Sequence, residues 1–127
     1  MQMTTGAKPR ALIIDDQLGI ASLIEQALSR NGWQSKVLDD PMKLEGTLGP
    51  GFDLVICDLR MPGRDGLDVL RYLREHEPRL AERFILMTGN PFELAGRGEE
   101  TTGIILLLKP FSLTELLDAV QKMTRPD

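Results

Sequence analysis

The stretch Phe52-Asp53-Leu54-Val55-Ile56-Cys57-Asp58 runs directly into Leu59-Arg60-Met61-Pro62-Gly63-Arg64-Asp65-Gly66. Its first half is a short, nearly unbroken apolar run closed by an acid, the pattern of a strand buried on both faces whose carboxyl end meets solvent or a ligand. The second half is dense in turn residues, and behind it Leu67, Leu70 and Leu73 recur at helical spacing as far as Pro78. Strand, loop and amphipathic helix in that order are the first part of a parallel crossover unit.

The same unit recurs on both sides of this stretch. Towards the N-terminus, Ala11-Leu12-Ile13-Ile14 is an apolar run ending in Asp15-Asp16, and Ile20, Leu23, Ile24, Ala27 and Leu28 then follow helical spacing up to Gly32, which suits a helix C-terminus. Trp33, Ser35 and Val37 alternate with Gln34 and Lys36, which predicts a half-exposed strand near a sheet edge. Asp40-Pro41 reads as cap and first-turn proline of a weak helix through Met42, Leu44 and Leu48, with a turn at Pro50-Gly51. Towards the C-terminus, Phe84-Ile85-Leu86-Met87 ends in Thr88-Gly89. Residues 90–103 hold Gly96, Gly98 and few apolar positions, so any helix there is expected to be short or mobile. Ile104 to Leu108 predicts the last buried strand, ending in Lys109-Pro110. Ser112-Leu113-Thr114-Glu115 matches a capping box, with Leu113, Leu116, Leu117, Val120 and Met123 as the stripe of a closing helix. Five strands alternating with about five helical segments imply a doubly wound α/β domain, a parallel sheet covered by helices on both faces.

Composition bounds the rest. The 127 residues carry 15 Lys and Arg against 19 Asp and Glu, a formal charge of −4. That is one domain's worth of chain, acidic at a sequence pI of about 5.0, and it shows no basic cluster suited to nucleic acid. The longest aliphatic run, Ile104 to Leu108, is far short of a membrane span, and Met1 to Arg10 lacks the apolar core of a secretory signal. A single cysteine, Cys57, excludes an internal disulfide and fits a reducing, cytoplasmic setting. The expected organisation is a flexible segment 1–9, a folded unit 10–124 and a tail 125–127. Only 18 residues follow Lys109, room for one helix, so any output is expected from another chain or a further segment.

In a doubly wound sheet, ligands bind beyond the carboxyl ends of the strands. Asp15-Asp16, Asp58, Thr88 and Lys109 all end apolar runs and so converge on one rim. Three carboxylates together require raised pKa values or a bound cation, and hard oxygen donors suit Mg²⁺, with Mn²⁺ as the alternative. A lysine and a hydroxyl beside them suit the oxygens of a transferring phosphoryl group, and the central Asp58 is placed to act as nucleophile and become an acyl phosphate. Cys57 should point away from that site by strand alternation and pack as a small hydrophobe. His76, in the polar run Arg74-Glu75-His76-Glu77, and Trp33 read as surface and packing residues.

Taken in order, Asp15-Asp16, Asp58, Met61-Pro62-Gly63 with Asp65-Gly66, Thr88-Gly89 and Lys109-Pro110-Phe111 resemble the receiver domain of bacterial two-component response regulators, from about Arg10 to Met123. The resemblance implies a flavodoxin-like five-stranded sheet of order 2-1-3-4-5. It makes Asp58 the phosphoacceptor, Asp16 a direct Mg²⁺ ligand, Asp15 the holder of metal-bound water, and Arg60 the donor of a backbone carbonyl to the metal. Thr88 and Lys109 become the contacts to the phosphoryl oxygens. Asp65-Gly66 is structural, and Lys109-Pro110 is expected cis. The implied partners are a histidine kinase or phosphotransfer protein and an output domain or protein, with no nucleic acid or membrane through this domain and a dimer through the last helix as an option.

One departure stands out. The family commonly carries Tyr or Phe three residues before the lysine, coupled to the hydroxyl residue, where this chain has Leu106. Leu106 and Thr88 mark the expected switch region. With the poor helix before Gly103, this makes the chain look like receivers attached to hybrid histidine kinases and suggests a surface that responds by ordering. Rival readings are a degenerate receiver that docks without phosphorylation, and an aspartyl-phosphate phosphohydrolase. The latter needs a second acid two residues after the nucleophile, where Arg60 stands. A flavin-mononucleotide binder would share the topology, but Asp15-Asp16 would repel its phosphate.

Overall fold

The computed structural model describes residues 8–49 and 51–124. Most of the expected N-terminal segment, Pro50 of the expected Pro50-Gly51 turn, and the tail 125–127 lie outside the described residues. Five strands form one parallel sheet in the order β2-β1-β3-β4-β5. They are β1 (Arg10–Ile14), β2 (Gln34–Leu38), β3 (Leu54–Asp58), β4 (Phe84–Thr88) and β5 (Ile105–Leu108). The helices are α1 (Leu18–Ser29), α2 (Leu44–Thr47), α3 (Gly66–His76), α4 (Pro78–Ala81) and α5 (Leu113–Thr124). No helix among the described residues is long and apolar enough to cross a membrane.

Side-chain alternation along the central strands divides the core in two. Leu12, Ile14, Val55, Cys57, Phe84 and Leu86 meet Leu44 and the α3 residues Leu67, Leu70 and Leu73 on one face. Ala11, Ile13, Leu54, Ile56, Ile85 and Met87 meet Ile24 and Leu28 of α1 and Leu116 and Val120 of α5 on the other. Residues on β1, β3 and β4 are buried on both faces because helices lie on both, which is why these strands read as continuous apolar runs. Each fully buried Leu or Ile side chain contributes about 1.5–3 kcal/mol.

The helix starts are fixed locally. Asp65 accepts from the Asp68 amide at 2.8 Å while Asp68 accepts from the Asp65 amide at 3.0 Å, a reciprocal cap that starts α3 directly behind the Asp58 loop. Ser112 and Glu115 form the same arrangement before α5. Asp40 caps a single 3₁₀ turn at Pro41–Lys43, and the weak helix expected there is this turn followed by α2.

Three expectations change. Pro78 does not simply stop a helix: α3 ends at His76, Glu77 leaves helical geometry as residues before proline tend to, and Pro78 opens the short α4. Leu23 and Leu113, read as core positions, are exposed. The connection between β4 and β5 is as poor in helix as its glycines implied, with no α-helix, only a 3₁₀ turn at Pro91–Leu94 and further turns. In consequence β5 is not a buried strand. It is the sheet edge with one face uncovered, so Leu107 is buried on the α5 side while Leu106 and Leu108 are 39% and 46% exposed.

Candidate functional site

The carboxyl ends of β1, β3, β4 and β5 bring the expected residues to one rim. Carboxylate oxygens of Asp15, Asp16 and Asp58 lie within 4.8 Å of one another. Asp15 and Asp58 are buried and Asp16 is exposed, so the cluster is a shallow well open on the Asp16 side. Lys109 enters from the end of β5 and places Nζ 3.1 Å from Asp58 Oδ1 and 3.6 Å from Asp15 Oδ2. Its backbone N–H donates to the Thr88 carbonyl at 2.8 Å, and the Lys109–Pro110 bond is cis.

Asp15 accepts from the Gln17 amide through Oδ1 at 2.9 Å. Its Oδ2 is buried without a hydrogen-bond partner, because the lysine at 3.6 Å is beyond hydrogen-bond reach. Burial pushes the Asp15 carboxyl above the usual carboxylate range, opposed by the Gln17 amide and the Lys109 charge. Burial likewise raises Asp58, opposed by its hydrogen bond and charge attraction to Lys109 and reinforced by Asp16. One ammonium is therefore too little charge for this well. A divalent cation fits it: three hard oxygen donors, one of them an orphaned buried lone pair, face a common point.

Thr88 ends β4, but its hydroxyl is turned onto Asn90, donating to the Asn90 carbonyl at 3.2 Å and accepting from the Asn90 N–H at 3.1 Å. Asn90 in turn caps the Pro91–Leu94 turn through its side chain. Arg60, two residues beyond Asp58, sends its guanidinium to Glu93. Leu106 sits on the exposed face of β5, without an aromatic ring at its position. Cys57 packs away from the well, its Sγ 3.3 Å from the Asp58 carbonyl, and burial drives its thiol well above the ordinary value. His76 stacks on Tyr72 at 4.1 Å, and Trp33 is buried with α1 and α5.

Gly66 shows why no side chain is tolerated behind Asp58. A Cβ there would lie 2.6 Å from the Asp58 carbonyl oxygen and 2.6 Å from Leu86 Cδ1, so α3 can approach β3 only through glycine. Sequence reasoning missed Gln17, Asn90 and Glu93. The first acts through its backbone amide and leaves no side-chain signal. The other two owe their place to the turn after β4, whose path no local pattern specified.

A family model described as response regulator receiver domain matches residues 11–121. Among curated proteins, the chain is 29% identical over 115 residues to sporulation initiation phosphotransferase F of Bacillus subtilis, covering 89% of this chain and 91% of that protein. It is 34% identical over 120 residues to the C4-dicarboxylate transport transcriptional regulatory protein DctD of Pseudomonas aeruginosa, covering 91% of this chain but only 25% of that regulator's length. Among solved structures, the response regulator TrrA of Thermotoga maritima, crystallised in complex with Mg²⁺ and BeF, superposes with a TM-score of 0.79 at 26% identity, over 91% of this chain and 98% of that one.

Proposed function

The chain belongs to the response regulator receiver domain family of two-component signalling systems, and on that premise we propose that Asp58 is its phosphoacceptor and Lys109 and Thr88 its phosphoryl contacts. The observation that carries this reading is Lys109 Nζ held 3.1 Å from an Asp58 carboxylate that burial has made costly to ionise. Asp15, Asp16 and Asp58 would hold a divalent cation, Mg²⁺ first and Mn²⁺ as a substitute, together with the Arg60 carbonyl. When bound, that cation supplies the positive charge that lets a phosphoryl group approach three carboxylates.

In the transfer, an Asp58 oxygen forms a bond to phosphorus as the bond from phosphorus to an imidazole nitrogen of a phosphohistidine breaks. The electron pair of that bond stays on the nitrogen. Lys109 is already beside the accepting oxygen and balances charge on the phosphoryl oxygens without moving far. Thr88 must give up the bond it donates to the Asn90 carbonyl to donate to a phosphoryl oxygen, so the start of the β4–β5 connection feels the modification directly. Later attack by water returns the carboxylate and inorganic phosphate.

The donor is a histidine kinase or phosphotransfer protein, and the setting is the cytoplasm, with residues 10–124 as one receiver unit. A phosphorylation-independent docking role is disfavoured because the acids, hydroxyl and lysine are all present. A phosphohydrolase role is disfavoured because Arg60, engaged with Glu93, occupies the place of its second acid. Incubation with acetyl phosphate and Mg²⁺, followed by intact mass measurement, tests the reading. The expected result is the gain of one phosphoryl group by the wild type and none by Asp58→Asn, and a gain that persists in Asp58→Asn overturns it.

A further inference from the structure

The β4–β5 connection lies where a covering helix would otherwise pack, yet it is attached almost wholly by polar groups. None of residues 97–102 is buried, and only the flanking Leu94 and Ile104 pack partly on the core of the α3 face. Two open clefts of about 300 Å³ each undercut the segment. One is lined by Leu67, Leu70, Arg71, Arg74, Glu99 and Glu100, the other by residues including Arg74, Ala81 and Thr102. Apolar packing therefore does little to hold these residues down.

Their anchors are arginine side chains, and all come from α3 or from the segment itself. The Glu100 carboxylate accepts from Arg71 Nη2 at 2.8 Å, from Arg97 Nε at 2.8 Å and from Arg97 Nη2 at 3.1 Å. Arg74 donates one guanidinium N–H to the Glu100 carbonyl and another to the Thr102 carbonyl at 2.9 Å. Between these anchors the segment holds its own shape: the Glu100 amide bonds the Arg97 carbonyl, and the Thr101 and Thr102 hydroxyls bond the Gly98 carbonyl. It ends in two joints. Gly96 at φ +78° and Gly103 at φ +84° occupy the left-handed region that other residues rarely adopt.

A self-bonded bead between two glycine joints, held over open clefts by surface ion pairs and the Arg74 hydrogen bonds, has the makings of a local opening unit. We propose that residues 97–102 form a latch that opens and closes as a body about Gly96 and Gly103, with Glu100 as its catch. Opening uncovers Leu67 and Leu70 of α3, on the sheet face that Leu106 shares with its register partner Leu86. The latch thus controls how much apolar surface this edge of the domain presents. The inference goes beyond the phosphoacceptor assignment and does not depend on it. If both hold, the Thr88–Asn90 bonds at the head of the same connection give the chemistry a route to the latch.

Amide exchange on the whole chain tests it without any phosphoryl group. Wild type is compared with Glu100→Gln and with Glu99→Gln, which removes the same charge one residue away from a carboxylate outside the clasp. Exposed ion pairs bias such an equilibrium by up to about fivefold each, so Glu100→Gln should speed exchange on the order of tenfold at the Arg97 and Ile104 amides, whose bonds to the Leu94 and Thr101 carbonyls span the two joints. Glu99→Gln should leave them unchanged, with β1 and β3 equally protected in all three proteins. Raised salt should speed these amides in wild type and add little in Glu100→Gln. Equal rates in the two variants would overturn the latch. So would loss of protection spread over β1 and β3, since the segment would then open only with the whole fold.

Discussion

Neutralising Asp58 should make the metal-free domain more stable. At the 4.8 Å limit, two carboxylates repel by about 1 kcal/mol in water and about 3.5 kcal/mol at an effective dielectric of 20. Asp58 faces two such neighbours. Its one compensation, Lys109 at 3.1 Å, is worth about 1.3 and about 5.4 kcal/mol on the same two scales. Attraction and repulsion therefore nearly cancel, and the cost of burying the charge is left over. That agrees with burial as the leading cause of the raised Asp58 pKa. In Asp58→Asn the amide oxygen can still accept from Lys109 while the desolvated charge is gone, so a gain of about 1–2 kcal/mol is expected, or about 4–8 °C in Tm for a chain of this length.

The sign with pH follows. A carboxyl whose pKa is raised by folding binds its proton more tightly in the native state, so its stabilising effect is complete below the ordinary value of 3.8 and is lost as pH rises through the folded value. The advantage of Asp58→Asn should accordingly vanish at the acid end and be full at neutral pH. The assay is urea unfolding in EDTA at low salt, repeated with Mg²⁺. At ten times its dissociation constant the cation adds about 1.4 kcal/mol to whichever protein binds it. Wild type should show that gain and Asp58→Asn little of it, closing the gap. An Asp58→Asn variant less stable than wild type in EDTA, or equally stabilised by Mg²⁺, would refute the account of the well.

Gly66→Ala should cost about 1–3 kcal/mol, since its Cβ would press on the Asp58 carbonyl and Leu86 at 2.6 Å; an unchanged urea midpoint would contradict the packing. Lys109→Gln should slow acyl-phosphate formation from acetyl phosphate on the order of 100-fold while leaving the fold intact, measured by mass against time. Glu100 should titrate at about 2 in the folded protein, because Arg97 and Arg71 both donate to it. Its lowered pKa means that its contribution is present above the ordinary 4.5 and fades as pH falls through about 2. A carboxyl resonance of Glu100 that titrates near 4.5 would show that the clasp does not form in solution.

The parts legible in the sequence were those with one local cause. Apolar runs ending in acids placed β1 and β3 with their carboxylates, because a strand buried between helices has no reason to alternate. Asp65-Gly66 and Ser112 to Glu115 announced helix starts because capping needs those side chains at those spacings. The β4–β5 connection was half legible: Gly96, Gly98 and Gly103 said that no regular helix would form, but nothing local said where the chain would go instead. Glu100 meets Arg71 across 29 residues of sequence and Arg60 meets Glu93 across 33, and charges scattered at such separations carry no periodic signal. The error over β5 has the same origin. Ile104 to Leu108 resembles a buried strand because an unbroken apolar run is what two covering layers select, yet the run itself supplies neither layer. The α5 helix covers Leu107, and the connection that would cover Leu106 and Leu108 is spent on turns and an ionic clasp. An apolar run therefore marks a demand for cover, and at this edge of the sheet the demand is left unmet within the described residues.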